Sequence, residues 1–250
     1  MFVSAVLITL NAARSIEATL ASLGFCNEIL VVDSGSTDGT QQIAARYGAR
    51  VVHEEWRGFG PQKQFAVDEA RNDWVLCVDS DEIVSPELER SIRQAMERPS
   101  HTAYAFARCN RFLGRYLKHG EGYPDYSLRL FDRRHARWSD DVVHEQVISL
   151  EPVGRLGGDL LHHSEDTLES YLAKQNRYTT LAAQALVADG GDVSAAKLVF
   201  SPLFRFVKFY LLRGGYRDGA AGFVHIVIGC FNSFMKYAKA LELKSRPPAP

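Results

Sequence analysis

An α/β fold with a mainly parallel central sheet, followed by a helical C-terminal extension, is predicted by three features of the 250-residue chain. Short, almost continuous apolar runs alternate with amphipathic stretches through residues 1–85, the pattern of strands buried on both faces and joined by crossover helices. Asn11, Asp33, Asp79 and Asp81 each lie at or just beyond the end of such a run, on what would be the carboxyl rim of the sheet, where ligands of such sheets bind. From Leu168 onward, helical periodicity replaces the alternation.

Taken in order, Val3–Leu10 (VSAVLITL) is a strand run with β-branched residues, and Ala13–Leu23 carries apolar residues at helical spacing. Glu28–Asp33 (EILVVD) is the second strand and Gln41–Tyr47 a short helix; Ala49–His53 is the third strand and Pro61–Ala70 a helix; Trp74–Asp79 (WVLCVD) is the fourth strand. Ser85-Pro86-Glu87 opens a helix with a hydroxyl cap, a proline in the first turn and an acid at the positive end of the dipole. Residues 103–163 are mixed, with strand-like pieces at Ala103–Arg108, Tyr126–Phe131, His144–Ile148 and Leu160–His163. Leu168–Ala188 is a long helix closed by Asp189-Gly190-Gly191, and amphipathic segments at Ala195–Leu212 and Ala220–Leu243 are separated by Gly214-Gly215. The end at Pro247-Pro248 is expected to fray.

A content of 46% apolar and 24% charged residues excludes disordered, fibrous and low-complexity classes. A chain of this size buries roughly 70–75% of its unfolded surface, so folding requires neither disulfide nor metal. Cys26, Cys77, Cys109 and Cys230 form no C-x-x-C pair, which excludes a zinc ribbon and points to a reducing compartment. No signal peptide is expected, because neither a basic leader nor a small-residue cleavage site accompanies the first apolar run. No uninterrupted apolar run approaches the ~20 residues of a membrane span. A cytoplasmic protein, or one attached to a membrane from the cytoplasmic side, is the expectation.

The net charge of −1 conceals an asymmetry. Residues 194–250 carry nine Lys/Arg against two Asp/Glu, leaving twenty against twenty-eight in the rest. An acidic front and a basic, apolar tail imply two parts with different partners. Nucleic acid is not among the expected partners: the whole chain is nearly neutral and has no basic helix or aromatic RNA-binding motif.

Two motifs carry chemistry. In Asp79-Ser80-Asp81-Glu82, alternate carboxylates just past a buried strand suit a hard divalent cation such as Mg²⁺ or Mn²⁺, or form an acidic turn leading into the Ser85 helix. In Asp33-Ser34-Gly35-Ser36-Thr37-Asp38-Gly39-Thr40, small and hydroxyl residues allow close backbone approach to a ligand, and Asp33 can accept hydrogen bonds from a base or ribose; a Gly-rich turn with a helix cap is the alternative.

LITLNAARSIEATLASL, VVDSGSTDGT and CVDSDE, in that order and spacing, resemble the nucleotide-sugar half of inverting family 2 glycosyltransferases with the GT-A fold. WRGFGPQKQFAVDEARNDWVLCVDSDE, YSLRLFDRR, VHEQV, LLHHS and YLAKQNRYT extend the likeness, over nearly the whole chain, to the lipopolysaccharide inner-core enzymes that transfer glucose β-1,4 to the first heptose. The resemblance implies a GT-A nucleotide-sugar-binding sandwich over residues 1–165 and a helical region, in contact with a membrane or another subunit, over residues 166–250. It places Asp33 at the uracil, the backbone around Thr9 and Asn11 beside the nucleoside, and Gln62 and Lys63 near the nucleotide or its phosphates. Asp79 would face the ribose or the metal, and Asp81 would bind the Mg²⁺ or Mn²⁺ that bridges the donor diphosphate. His162 or His163 would supply an imidazole to the metal or diphosphate, His162 being the metal candidate.

An acceptor hydroxyl must lose its proton, and Glu145, which lies well after the aspartate pair as the catalytic carboxylate of the resembled family does, is the expected general base; the alternative is that His144 and Glu145 merely alternate along a strand. Asp132, Asp140, Asp141 and Asp159 are lesser candidates, read mainly as loop and cap residues. The stretch Arg108–Arg137 holds eight Lys/Arg against three Asp/Glu and is expected either to receive an anionic glycolipid acceptor, through the bidentate geometry of arginine, or to form a solvated face. SPLFRFVKFYLLR and GFVHIVIGCFNSFMKYAKALELK mix apolar and cationic residues and suit the cytoplasmic face of an inner membrane, or packing against a subunit. The implied reaction transfers a sugar from a UDP-sugar to a core heptose. The alternatives are another UDP-sugar with a different glycolipid or polysaccharide acceptor, or a nucleotide-sugar-binding membrane protein without turnover.

Overall fold

The computed structural model describes residues 1–140, 145–163 and 167–245. Asp141, His144 and the Pro247-Pro248 end lie outside the described residues. The chain divides into two compact units, Met1–Cys109 with Pro124–His163, and Asn110–Tyr123 with Ser164–Pro250.

The first unit is built on four parallel strands, β1 (Val3–Thr9), β2 (Glu28–Asp33), β3 (Arg50–His53) and β4 (Trp74–Cys77), in the order β3-β2-β1-β4. Helices α1 (Ile16–Ser22), α2 (Thr40–Arg46) and α3 (Phe59–Asp68) connect them. All four residues of β4 and six of seven in β1 are buried, as continuous apolar runs require. Successive residues face opposite sides of the sheet: Ala5, Leu7 and Leu76 join one core cluster with Leu20 and Leu88, while Val6, Val75 and Cys77 join another with Ala66 and Val67 of α3. Fully burying a side chain of this size contributes about 1.5–3 kcal/mol.

Beyond β4 the sheet is no longer parallel. It continues β4-β8-β6-β11-β5, using β5 (Glu82–Val84), β6 (Ala103–Phe112), β8 (Asp125–Asp132) and β11 (Gly154–His162). The pairs β4–β8, β6–β8 and β5–β11 are antiparallel. Only α4 (Pro86–Glu97) interrupts this half as a helix, so the chain returns without the crossovers that keep strands parallel. The expected mainly parallel sheet is found, its parallel part being the first four strands. Ser85 caps α4 as expected, its Oγ accepting from Leu88 N at 3.2 Å. The short strand β5 lacks a sequence signal of its own, and β9 (Ala136–Trp138) pairs with β10 (Val147–Ser149) in a separate ribbon.

In the second unit, α5 (Leu168–Ala188) and α6 (Ala195–Phe206) both pack on α7 (Gly219–Ser245). The predicted helix over Ala195–Leu212 is α6 followed by a π-helical turn at Val207–Leu212, with Pro202 inside α6. The stretch Gly215–Ser245 has the length and hydropathy of a membrane span, a test that core helices of water-soluble proteins also pass. Residues 110–123, which carry β7 (Arg115–Tyr116) folded back on the end of β6, group with these helices rather than with the sequence around them. His119 N and Nδ1 each lie 2.8 Å from a carboxylate oxygen of Asp218, Gly120 N donates to Arg213 O at 3.0 Å, and Glu121 pairs with Arg205. Gly120 adopts φ +74°, and a Cβ there would meet Gly215 Cα at 3.0 Å.

Candidate active site

A cleft of about 490 Å³ opens in the first unit at the carboxyl end of β1 and the segment after β4. Its lining includes Thr9, Leu10, Trp56, Phe59, Lys63, Asp79, Asp81, Arg108, Glu145 and His162. Five of the expected site residues therefore share one cavity with Thr9, contributed by β1, α3 and the segments after β4, around Glu145 and at the end of β11.

Asp33 ends β2 as expected and is 0% exposed. Its Oδ1 accepts from Gly35 N (3.1 Å), Ser36 N (2.8 Å) and Gln41 Nε2 (2.6 Å); its Oδ2 accepts from Thr9 Oγ1 (2.9 Å) and Ser36 Oγ (2.5 Å). Burial disfavours its charge, but these donors outweigh burial and hold the carboxyl below its ordinary range. Asp33 thus organises its own loop and the β1–β2 junction. Asn11 has φ +54°, in the left-handed region that asparagine tolerates, and its Oδ1 accepts from Thr37 N at 2.9 Å. Asn11 N donates to Ser36 Oγ (2.8 Å), Ala12 N to Thr40 Oγ1 (2.8 Å) and Ala13 N to Asp38 Oδ2 (2.9 Å), so the two loops are laced into one rim. Gln62 is buried beneath that rim, its amide bonded to Ser34 Oγ (3.1 Å), Glu54 O (3.2 Å) and Arg57 N (3.2 Å).

Lys63 occupies the centre of the charged cluster. Its Nζ lies 3.1 Å from both Asp79 Oδ1 and Glu145 Oε1. Arg129 Nη2, from β8, reaches Asp79 Oδ2 at 3.1 Å. Burial opposes ionisation of Asp79, yet the charges of Arg129 and Lys63 outweigh burial and hold its carboxyl well below the usual range. Glu82, 0% exposed, accepts from Asp79 N at 3.0 Å and from Arg108 Nε at 2.6 Å, which orients the Arg108 guanidinium at the cleft wall. Trp138 lies beneath the cations, with Lys63 Nζ 4.7 Å and Arg129 Cζ 5.4 Å from its ring centroid. Its Nε1 donates to Cys77 Sγ at 3.4 Å.

Asp81 Oδ2 and His162 Nε2 lie 3.1 Å apart, and His163 N donates to Asp81 O at 2.9 Å. Among the described residues no group of three or more His, Cys, Asp or Glu side chains could hold a metal ion. One carboxylate and one imidazole fit a cation whose remaining ligands are substrate phosphates and water, the way Mg²⁺ and Mn²⁺ are commonly held beside nucleotides. Asp79, expected at the ribose or the metal, gives both oxygens to Lys63 and Arg129 here.

The basic stretch Arg108–Arg137 does not form one surface. Arg108 alone of its members lines the cleft, whereas Arg129 turns inward to Asp79. Arg133 caps the carbonyls of Val67, Asp68 and Ala70, and Arg134 pairs with Asp132. Arg111, Arg115 and Lys118 belong to the second unit. Asp132 and Asp140 engage Arg134 and Arg137, and Asp159 lies next to the Ser85 cap, its N–H donating to Ser85 Oγ at 3.1 Å. Sequence reasoning missed Trp56, Phe59, Trp138, Arg129 and Glu82 as site residues. Glu82 stood within the acidic motif and Trp56 and Phe59 within the WRGFGPQK segment, while Trp138 carried no local signal at all.

The chain is a glycosyltransferase with a GT-A type fold. Residues 4–150 match the Glycosyl transferase family 2 model, and the chain belongs to that family. It is 31% identical to the lipopolysaccharide core biosynthesis glycosyltransferase LpsC of Rhizobium meliloti over 98% of this chain and 94% of that protein. An uncharacterized glycosyltransferase of Rickettsia typhi is 30% identical over 98% of this chain and 89% of its own. Among solved structures, TarS of S. aureus in complex with UDP-GlcNAc aligns with a TM-score of 0.48 at 15% identity, covering 95% of this chain and 81% of that one. Glucosyl-3-phosphoglycerate synthase of Mycobacterium tuberculosis, in complex with Mn²⁺, UDP and glucosyl-3-phosphoglycerate, aligns with a TM-score of 0.37 at 27% identity over 44% of each chain.

Proposed function

We propose that this glycosyltransferase moves a hexose, glucose in the first instance, from a UDP-sugar to a heptose of the lipopolysaccharide inner core, with inversion at the anomeric carbon. The observation that carries the reading is the Lys63 ammonium between Asp79 and Glu145, in one cleft with Asp81 and His162. The full-length similarity to a lipopolysaccharide core enzyme supports the acceptor class.

Glu145 Oε1 is held by Lys63 at the cleft, where a carboxylate can take the proton of an acceptor hydroxyl as its oxygen attacks the anomeric carbon. One C–O bond forms as the bond to the diphosphate oxygen breaks; the electron pair leaves with UDP and the proton stays on Glu145. A single displacement inverts the α-linked donor to a β-glycoside. Asp81 and His162 would hold a divalent cation, which supplies charge neutralisation to the departing diphosphate. Lys63 and Arg108 place two further positive charges at the same cleft.

The second unit suits the membrane on which such an acceptor resides. α6 and the π-helical turn expose Phe200, Leu203, Phe204 (68%), Leu211 and Leu212 (78%) together with Lys208 and Arg213. Apolar side chains interspersed with cations favour an anionic bilayer interface, here the cytoplasmic face of the inner membrane.

The experiment is nucleotide release from UDP-, GDP- and dTDP-sugars with detergent-dispersed truncated core lipid, in Mn²⁺, Mg²⁺ or chelator, beside Asp81→Ala and Glu145→Gln. Acceptor-dependent UDP release from UDP-glucose, lost in chelator and in both variants, is the expected result. UDP binding without turnover on any donor or acceptor overturns the catalytic reading.

A further inference from the structure

Trp138 is buried, 3% exposed, and beyond its Nε1 contact with Cys77 Sγ its ring face meets cations. Two cations share that ring, Lys63 Nζ at 4.7 Å and Arg129 Cζ at 5.4 Å from its centroid. The same two cations carry the ion pairs of the cluster: Arg129 to Asp79, and Lys63 to Asp79 and Glu145. The residue is anchored at its ring, where Nε1 donates to Cys77 Sγ at 3.4 Å, and at its main chain, where N donates to Gln64 Oε1 at 2.8 Å. Cys77 ends β4 two residues before Asp79, and Gln64 follows Lys63 on α3. The indole is therefore referenced to the two elements that present the acid and the ammonium.

We infer that Trp138 is a positioning residue whose ring sets Lys63 between Asp79 and Glu145; the inference rests on the reading of that cluster as catalytic. The physical basis is electrostatic. The negative face of an indole attracts a cation most strongly where water is excluded, and Lys63 is nearly buried. Unlike a carboxylate, the ring brings no net charge, so it holds the ammonium without neutralising it for the two acids. Arg129 depends on the ring as well: among the described residues its Nη1 is buried without a hydrogen-bond partner, so Asp79, Glu82 and the indole are its main anchors. An ammonium displaced from its seat leaves Glu145 without a fixed orientation toward an acceptor hydroxyl, which slows the chemical step while leaving the rim that holds the nucleotide intact.

The test compares Trp138→Phe with Trp138→Met, both smaller than tryptophan, and fluorotryptophans placed at position 138 alone, which keep the shape of the ring and weaken its negative face. Turnover, donor KM and melting temperature are read for each, beside Lys63→Met. The expected result is that Trp138→Phe keeps kcat within about threefold, Trp138→Met loses about tenfold or more in kcat with donor KM little changed, and kcat declines stepwise with fluorine number at constant melting temperature. Equal kcat for Phe and Met, or a flat response to fluorination while Lys63→Met is inactive, overturns the positioning role and leaves the catalytic reading standing. Full activity in Lys63→Met overturns both. If Trp138→Met fails to fold, the fluorination series decides alone.

Discussion

Removing the Lys63 ammonium while keeping its bulk isolates the electrostatics of the cluster. Lys63→Met retains most of the apolar contact with Trp138 but leaves Asp79 and Glu145 facing each other without a cation between them. Each 3.1 Å contact is worth about 5 kcal/mol of gross attraction at an effective dielectric of ~20. Much of this is offset by the cost of desolvating the ammonium, and removing one partner of a buried pair costs about 3–5 kcal/mol net. Asp79 keeps Arg129, and the Glu145 side chain is one-fifth exposed, so the low end applies, about 3 kcal/mol. At about 2–4 °C per kcal/mol for a chain of this size, the melting temperature falls by roughly 6–12 °C. The assay is guanidinium chloride unfolding of the wild type, Lys63→Met, Glu145→Gln and the double variant. Glu145→Gln in the Lys63→Met background relieves the stranded charge, giving a coupling of about 1–2 kcal/mol. A Lys63→Met protein within about 0.5 kcal/mol of wild type, or strict additivity in the cycle, refutes the reasoning.

Three further outcomes follow from the same geometry. Glu82→Gln removes the charge from a fully buried carboxylate that accepts from Asp79 N and Arg108; we expect a loss of about 2 kcal/mol and a raised donor KM, and an unchanged melting curve would contradict it. Glu28, Asp33 and Asp132 are opposed by burial but held below their ordinary values, Glu28 chiefly by Ser4, Arg71 and Arg50 and Asp132 chiefly by Arg134. The unfolded chain therefore binds more protons than the folded one in acid, so their contribution is present above the unfolded values of 4.5 for Glu and 3.8 for Asp and is lost as pH falls through and below them. The denaturation midpoint should decline steadily from about pH 5 downward, less steeply in Glu28→Gln; a midpoint flat to pH 3 counts against the account. Asp81→Ala and His162→Ala should each weaken Mn²⁺ binding in the presence of UDP by about tenfold or more, read from the paramagnetic signal of free Mn²⁺, and unchanged affinity in both removes these residues from the cation site.

Strands β1, β2 and β4 were legible because both of their faces are buried, which forces an unbroken apolar run. Strand ends could likewise be located, and with them Asp33 and the Asp79–Asp81 motif. What the sequence could not disclose is who answers each charge. Asp79 is met by Lys63 and Arg129, 16 and 50 residues away along the chain, and only the folded sheet brings β8 beside β4. Asp33 reads as a free acceptor in sequence, yet its own loop supplies most of its donors. The run of arginines between 108 and 137 looked continuous because charge was counted along the chain, whereas strand alternation and a change of unit send its members to different places. Periodicity also treats Ala195–Leu212 as one helix, since a local shift to i→i+5 bonding leaves the apolar pattern unbroken.

The grouping of residues 110–123 with the C-terminal helices bears on how this enzyme can be divided or recombined. The polypeptide passes between the two units three times, after Cys109, before Pro124 and after His163, so neither unit corresponds to a single segment of gene. A truncation after His163 would strip His119 of Asp218, Glu121 of Arg205 and Gly120 of the Arg213 carbonyl, while the loop that used them stays behind. A chimera that imports only a foreign tail confronts the same loop with side chains it was not matched to. The two units are therefore heritable only as a pair, and any exchange between relatives must carry the inner loop together with the tail.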